Sequence, residues 1–438
     1  MAIVITIPPE NYVSLKEDLD RLAPFDWETR GLIHVFPVKG DPRKVADQLD
    51  EYCQNHGLST ILVPKRVHCE EPRLSEAGYK VLNLPSINFL LHGPGLRDQL
   101  QELGLDWRSR VLSRLNQYAL STVGNAEIDR WLHQFEFLGT HRTVGEHLLQ
   151  LLDLVPLPEV GDALTHNVDF FGSDITIGFN FDKWGKSWGT ISNLIGKISP
   201  GVPLIPITDA IERGGTFRQI RLVEDGLFSG TESRAVLDSL RGTRPAGRSE
   251  KVPKLNDPAL LSQVRLQIQF GVICDFGERI LRKYLASNGL NNVQINSSAA
   301  RTMRVLLKSD GPHLSNEELS QMDDVTFRTE LRTRVVPFAF QDRQGWKDER
   351  ARDRAQSFCE NVGEQLWRAY IEKKQFGSSS WPDDRIKLCA LGMEGLGLTV
   401  AFPHSVPKAT LPVFWATGRV TFNGKSIDWM PLLPNSDG

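Results

Sequence analysis

A chain of 438 residues is long for one hydrophobic core and implies two or three domains. Its 40% hydrophobic and 24% charged residues are ordinary for a globular protein, and a net charge of -3 excludes a global field for nucleic acid or anionic membrane, though not local patches. Five cysteines (Cys53, Cys69, Cys274, Cys359 and Cys389) are scattered, odd in number and never in a CxxC pair, which argues against a disulfide framework or structural zinc and fits a reducing compartment.

Met1 to Pro8 carry no basic n-region and no apolar stretch of signal-peptide length. No run approaches the roughly 20 apolar residues needed to span a bilayer. A cytoplasmic protein without membrane contact is expected. Residues 1–105 read as a small N-terminal α/β domain. Apolar stretches at Ile3–Ile7, Leu32–Pro37 and Thr60–Val63 predict strands, and Asp41–Tyr52 predicts a helix between the last two. Residues 106–308 read as a central domain with a helical lead-in over Trp107–Leu154, where apolar residues recur at spacings of three and four.

The central domain then repeats a strand–loop–helix rhythm. Asp174–Phe181 predicts a strand, Asp182–Gly189 a loop, Thr190–Ile198 a helix and Val202–Ile207 a strand. Ile220–Val223 predicts a buried strand, Glu232–Leu240 a helix, Val264–Ile273 a strand, Gly277–Ser287 a helix and Asn292–Ile295 a further strand. Such alternation implies a mostly parallel sheet flanked by helices with right-handed crossovers. Residues 309–438 read as a C-terminal extension: a polar connector (Ser309–Asp324), a charged helix around Trp346–Gln375, and a tail whose prolines and tryptophans imply irregular backbone packed on the central domain.

Between strand and helix at the centre stand Glu224 and Asp225, followed by Gly226, Leu227, Phe228, Ser229, Gly230 and Thr231. Neighbouring carboxylates can each accept from one hydroxyl of a ribose. Their charge also favours an oxocarbenium-like transition state when a group leaves the anomeric carbon. Gly226 and Gly230 allow close approach of backbone N–H groups to a phosphate. Ser229 and Thr231 add hydroxyls, and Thr231 stands where a helix N-cap would. The plain alternative is a strand–turn–helix joint with acidic capping residues.

This segment resembles the PRPP (phosphoribosyl pyrophosphate) signature of type I phosphoribosyltransferases: an apolar strand, two acidic residues, a short variable stretch and Ser-Gly-Thr. The resemblance covers about Asp174 to Ile295. It implies a catalytic role for Glu224 and Asp225 at the ribose hydroxyls, and residues 226–231 around the 5′-phosphate. It further implies Lys183 and Lys186 in the pyrophosphate loop, with Mg2+ carried by the pyrophosphate and no dedicated protein metal site. Two departures matter. Phe228 occupies the position where purine-using relatives place a base-handling Asp, and Thr208–Gln219 is short for the flap that closes over PRPP.

The flanks sharpen the likeness. Trp131, Gln134 and Phe135, the joint Cys274 to Glu278, and Pro403-His404, Pro407, Leu411-Pro412, Trp415, Trp429 and Pro431-Leu432 resemble a bacterial family of phosphoribosyltransferase-like proteins with a C-terminal extension. Membership implies a phosphoribosyltransferase-like effector of conflict and phage-defence operons. A defence-operon protein, a reverse transcriptase or a nucleic-acid partner would then lie nearby, and oligomers would be compatible with it. Two other readings stay open: a PRPP- or nucleotide-sensing module without turnover, and a nucleic-acid-associated subunit using the basic stretch Arg241–Lys254.

Other residues carry weaker signals. Asp275 follows a predicted strand and opens a helix, so it can orient an acceptor or water as a third catalytic group, or simply cap the helix. Trp184 and Trp188 can stack on a base or pack. His404 is first expected to be structural, with a reach to the central site as the alternative. The ten histidines show no HExxH spacing, and Gly185-Lys186-Ser187 lacks the earlier glycine of a P-loop.

Overall fold

The computed structural model describes residues 3–7, 33–39, 41–56, 58, 60–64, 71–84, 107–165, 175–179, 187–213, 219–243, 254–296, 298–306, 321–374 and 381–435. Contacts divide the chain into two units, Met1–Arg114 with Arg343–Gly345 and Leu115–Asp342 with Trp346–Gly438. Among the described residues no helix is long and apolar enough to cross a membrane.

The first unit contains β1 (Ile3–Ile7), β2 (Ile33–Pro37), α1 (Pro42–His56), β3 (Thr60–Pro64), α2 (Glu71–Glu76) and β4 (Lys80–Leu84). Its sheet runs β2-β1-β3-β4, and every pairing is parallel. Helix α1 starts where the Asp41 carboxylate accepts the Arg43 N–H at 2.9 Å. It buries Ala46, Leu49 and Cys53, one face at spacings of three and four, beside Val4, Ile61 and Val63 of the sheet. The predicted strands are present, and β4 adds one that the sequence reading did not pick out.

The second unit opens with α3 (Asn125–Phe137), α4 (Arg142–Leu151), β5 (Asp153–Leu154) and α5 (Leu157–Thr165). Then come β6 (Ile175–Phe179), α6 (Ser187–Ile198), β7 (Leu204–Pro206), α7 (Ile207–Glu212), β8 (Gln219–Leu227), α8 (Thr231–Leu240), β9 (Leu266–Cys274), α9 (Asp275–Ser287), β10 (Val293–Asn296) and β11 (Arg301–Met303). These strands form a six-stranded sheet in the order β10-β9-β8-β6-β7, with β11 also beside β9, and all pairings are parallel. The mostly parallel α/β fold expected from the strand–helix rhythm is therefore present. Strands β8 and β9 are buried on consecutive positions, Ile220–Glu224 and Ile268–Cys274, because helices cover both of their faces.

The two faces are distinguishable. On β9, Gln269 donates to the Ala163 carbonyl of α5 at 2.8 Å, and a Cβ on Gly271 would lie 2.6 Å from Val160 of α5. Register pairs Gln269 with Val223 of β8, so Val223 and Asp225 share the α5 face. Even-numbered β8 residues, Leu222 and Glu224, face the opposite way.

The remaining chain forms α10 (Asp324–Thr333), α11 (Glu349–Lys374), α12 (Asp383–Leu388), β12 (Val400–Ala401), α13 (Pro412–Trp415) and a hairpin of β13 (Gly418–Phe422) and β14 (Lys425–Trp429). This extension belongs to the same unit as the central sheet. Strand β12 pairs parallel with β5. Trp131 of α3 stacks on Phe414, their ring centroids 5.3 Å apart, and Phe135, Phe358 and Trp429 close the cluster. The indole N–H groups of Trp131 and Trp429 both donate to the Val413 carbonyl at 3.0 Å. Gln134 grips the Met430 backbone from both sides, donating to its carbonyl at 2.9 Å and accepting its N–H at 2.7 Å.

Gln134→Leu is expected to lower stability by about 2 kcal/mol, because it removes both hydrogen bonds of the buried amide to the Met430 backbone. A urea midpoint equal to wild type would show that water replaces the amide without loss.

Candidate functional site

Sequence reading ended the central strand at Val223 and began a loop at Gly226. Instead β8 continues to Leu227, pairing Gly226 with Val272 and Leu227 with Ile273. The long apolar partner β9 imposes the extended form on residues of low strand propensity. Only Phe228, Ser229 and Gly230 form the loop, and α8 begins at Thr231. Gly230, not Thr231, is the N-cap, with a φ of 71° that a side chain would strain.

The loop is shaped by two further glycines. A Cβ on Gly226 would meet the Phe228 ring, so its absence lets that ring fold back over the strand end. A Cβ on Gly277, in the first turn of α9, would meet the backbone carbonyl of Phe228, with the carbonyl carbon at 2.7 Å. The loop thus rests directly on α9. Ser229 Oγ lies 3.2 Å from Thr231 Oγ1. The first N–H groups of α8 have no partner one turn back in their own helix, and they form the anion-attracting end of this arrangement.

The two carboxylates are not brought together. Adjacent residues of one strand point to opposite faces, and the strand extends past both. Glu224 is 7% exposed and accepts the Ser233 hydroxyl of α8 at 3.0 Å. It joins strand to helix beneath the loop. Asp225, on the α5 face, meets the extension: its Oδ2 lies 3.2 Å from His404 Nε2. The imidazole lies nearly parallel to Phe402 (centroids 5.7 Å, 22°), and Phe402 lies 6.3 Å from Phe228. Sequence reading favoured a structural His404 and did not weigh Phe402. The one available signal was Pro403-His404, a histidine fixed by a proline in a tail expected to pack on this domain.

Asp275 is engaged elsewhere. Its carboxylate accepts the N–H groups of Val305 at 2.9 Å and Leu306 at 3.2 Å, tying the chain after β11 to the start of α9. Burial raises its pKa, and the N–H groups of Val305, Leu306 and Phe276 pull it back. Next to it, burial pushes the Cys274 thiol up, which leaves it protonated and a poor nucleophile. Cys53, Cys359 and Cys389 are also free and buried.

Lys183, Lys186 and Trp184 lie outside the described residues, as do the Trp188 side chain and most of the basic stretch. Within that stretch Arg241 is committed to the fold, donating to Tyr284 Oη at 3.2 Å and Asn288 Oδ1 at 2.6 Å. Among the described residues no group of three or more His, Cys, Asp or Glu side chains could hold a metal ion unaided.

No curated protein and no solved structure matches the chain significantly. A family model does: PRTase-CE, phosphoribosyltransferase with C-terminal extension, matches residues 128–435, from the first turn of α3 to the end of the described extension. The match spans the parallel sheet, the strand–loop–helix joint and the tail that delivers His404, and the chain belongs to this phosphoribosyltransferase-like family.

Proposed function

We propose that the protein binds PRPP or a related ribose-5-phosphate compound and makes or breaks a bond at its anomeric carbon. The observation that best supports this is the β8–α8 joint: a carboxylate at the strand end, three loop residues seated on Gly277, and a helix N-terminus beyond them. A ribose phosphate has hydroxyl donors at one end and an anion at the other, which is the complementary order. Asp225 accepts a ribose hydroxyl, and the N–H groups from Ser229 into α8 hold the 5′-phosphate. The Ser229 and Thr231 hydroxyls turn toward the same anion.

In the reaction the C1–oxygen bond to pyrophosphate breaks and its electron pair leaves with the pyrophosphate. A lone pair of the acceptor then forms the new bond at C1. The Asp225 charge beside the ring favours the cationic transition state. Glu224 acts from the buried side by holding the strand end to α8. A Mg2+ carried by the phosphates, with its remaining positions on water, would neutralise part of the leaving charge. Lys183 and Lys186 are assigned to the pyrophosphate. Within the family resemblance the role is anti-phage defence in the bacterial cytoplasm, through an unusual acceptor or depletion of a nucleotide-type metabolite.

A second reading, a sensor that binds without turnover, is favoured by Phe228. Its ring is occupied with Gly226 and Phe402 where purine-using relatives carry an Asp. Calorimetry with PRPP and Mg2+, beside a pyrophosphate-release assay, separates the two. Asp225→Asn is expected to weaken PRPP binding by about 10- to 100-fold, the value of a hydrogen bond to a charged group. Unchanged affinity in that variant sinks the assignment.

A further inference from the structure

We propose that the C-terminal extension completes the sugar site by supplying His404 as a positioning residue for Asp225. This rests on the reading of Asp225 as the acceptor of a ribose hydroxyl.

The segment carrying the histidine is held at several points. Phe402 and Ser405 exchange backbone hydrogen bonds at 2.8 and 3.2 Å. The Pro403 carbonyl accepts the Ala119 N–H at 2.7 Å. Just before them, β12 is paired with β5, and the Thr399 hydroxyl donates to the Leu151 carbonyl at 2.8 Å. The imidazole is therefore delivered to a fixed place, with its ring set by Phe402. Only 11% of the His404 side chain and 18% of the Asp225 side chain are exposed.

The nitrogens divide the work. Nδ1 is buried and has no hydrogen-bond partner among the described residues, whereas Nε2 faces the carboxylate. A buried N–H without an acceptor costs more than a buried lone pair facing no donor when the N–H has a carboxylate available at the other nitrogen. The proton therefore belongs on Nε2, which donates to Asp225 Oδ2. That bond fixes the plane of a carboxylate that could otherwise rotate at the strand end, and it leaves Oδ1 to accept from a hydroxyl. A side chain that merely filled the space beside Phe402 would gain nothing from aiming a nitrogen at Asp225.

The test compares the full-length wild type with His404→Phe, His404→Gln and Asp225→Asn. Calorimetry with PRPP and Mg2+ is read beside histidine ring 15N spectra taken without ligand. His404→Phe keeps the aromatic packing and removes the donor, so about tenfold weaker PRPP binding is expected at an unchanged melting temperature. His404→Gln restores a donor and is expected to recover most of the loss. Asp225→Asn is expected to move the ring signals of His404, whose wild-type spectrum shows the Nε2–H form. Phe and Gln variants that bind equally well, or ring signals indifferent to Asp225→Asn, overturn the proposal. A wild-type chain that binds no PRPP overturns the ribose reading instead, and the ring signals still decide whether His404 and Asp225 are coupled.

Discussion

Gly277→Ala is expected to abolish ligand binding and to destabilise the second unit by about 3 kcal/mol, the upper part of the range for forcing an extra carbon into a packed site. The new methyl would meet the Phe228 carbonyl group, with Gly230 N at 3.3 Å. All of these are backbone atoms, so no side-chain rotation relieves the clash. Either α9 shifts, or residues 228–230 leave their seat and carry the start of α8 with them. Gly196→Ala is the control. Its Cβ would make one ordinary contact, 3.5 Å from Leu204 Cδ1, inside α6. Removing a glycine from a helix there is expected to add about 0.5–1 kcal/mol. Denaturant midpoints and PRPP calorimetry on both variants check the pair of predictions. A Gly277→Ala protein that binds like wild type would show that the loop has another support.

Glu394→Ala is expected to cost about 3–5 kcal/mol, the usual result of removing one partner from a buried ionic group. Glu394 is 6% exposed, and its two carboxylate oxygens take Arg328 Nη1 and Arg332 Nε of α10, the latter at 2.6 Å. Burial lowers the Arg328 pKa and Glu394 offsets only part of that, so removing the glutamate removes the main group that opposes the desolvation of that guanidinium. The backbone at Glu394 has φ 62°, which costs roughly 1–2 kcal/mol for a residue with a side chain. Glu394→Gly should consequently fall about 1 kcal/mol short of the Ala variant's loss. Urea titrations of both measure the ionic and backbone parts separately. Equal midpoints for the two variants would remove the strain argument.

The central sheet was legible from its strand–helix alternation, although Ile220–Val223 and Val264–Ile273 carry Arg221, Arg265, Gln267 and Gln269 among their apolar residues. Strand ends were less legible. Asp225-Gly226 looks like the start of a turn, yet Val272 and Ile273 on the neighbouring strand hold that stretch in the ladder. That stretch decides the site, since the acid pair can share one ligand only if the strand stops before it. His404 was legible only as a candidate, because its partner lies 179 positions away and local pattern does not report such pairings. Strand β4 is a five-residue segment, Lys80–Leu84, that composition alone does not distinguish from loop. The β13–β14 hairpin was missed in a tail expected to be irregular, although its turn carries a signal: Asn423 and Gly424, both at positive φ, are the pair that closes a two-residue hairpin.

The shared carbonyl of Val413 has a consequence for synthesis. Helix α3 emerges from the ribosome early, but Trp131 and Gln134 hydrogen-bond to Val413 and Met430, and Phe135 packs on Phe358 and Trp429. The sheet can be translated completely while its first helices remain unseated, and His404 reaches Asp225 only once that late segment is free of the exit tunnel. A nascent chain stalled before Val413 is thus expected to be cleaved by protease within α3, while released full-length chain resists. A chain assembled in this order has no His404–Asp225 contact on an unfinished polypeptide.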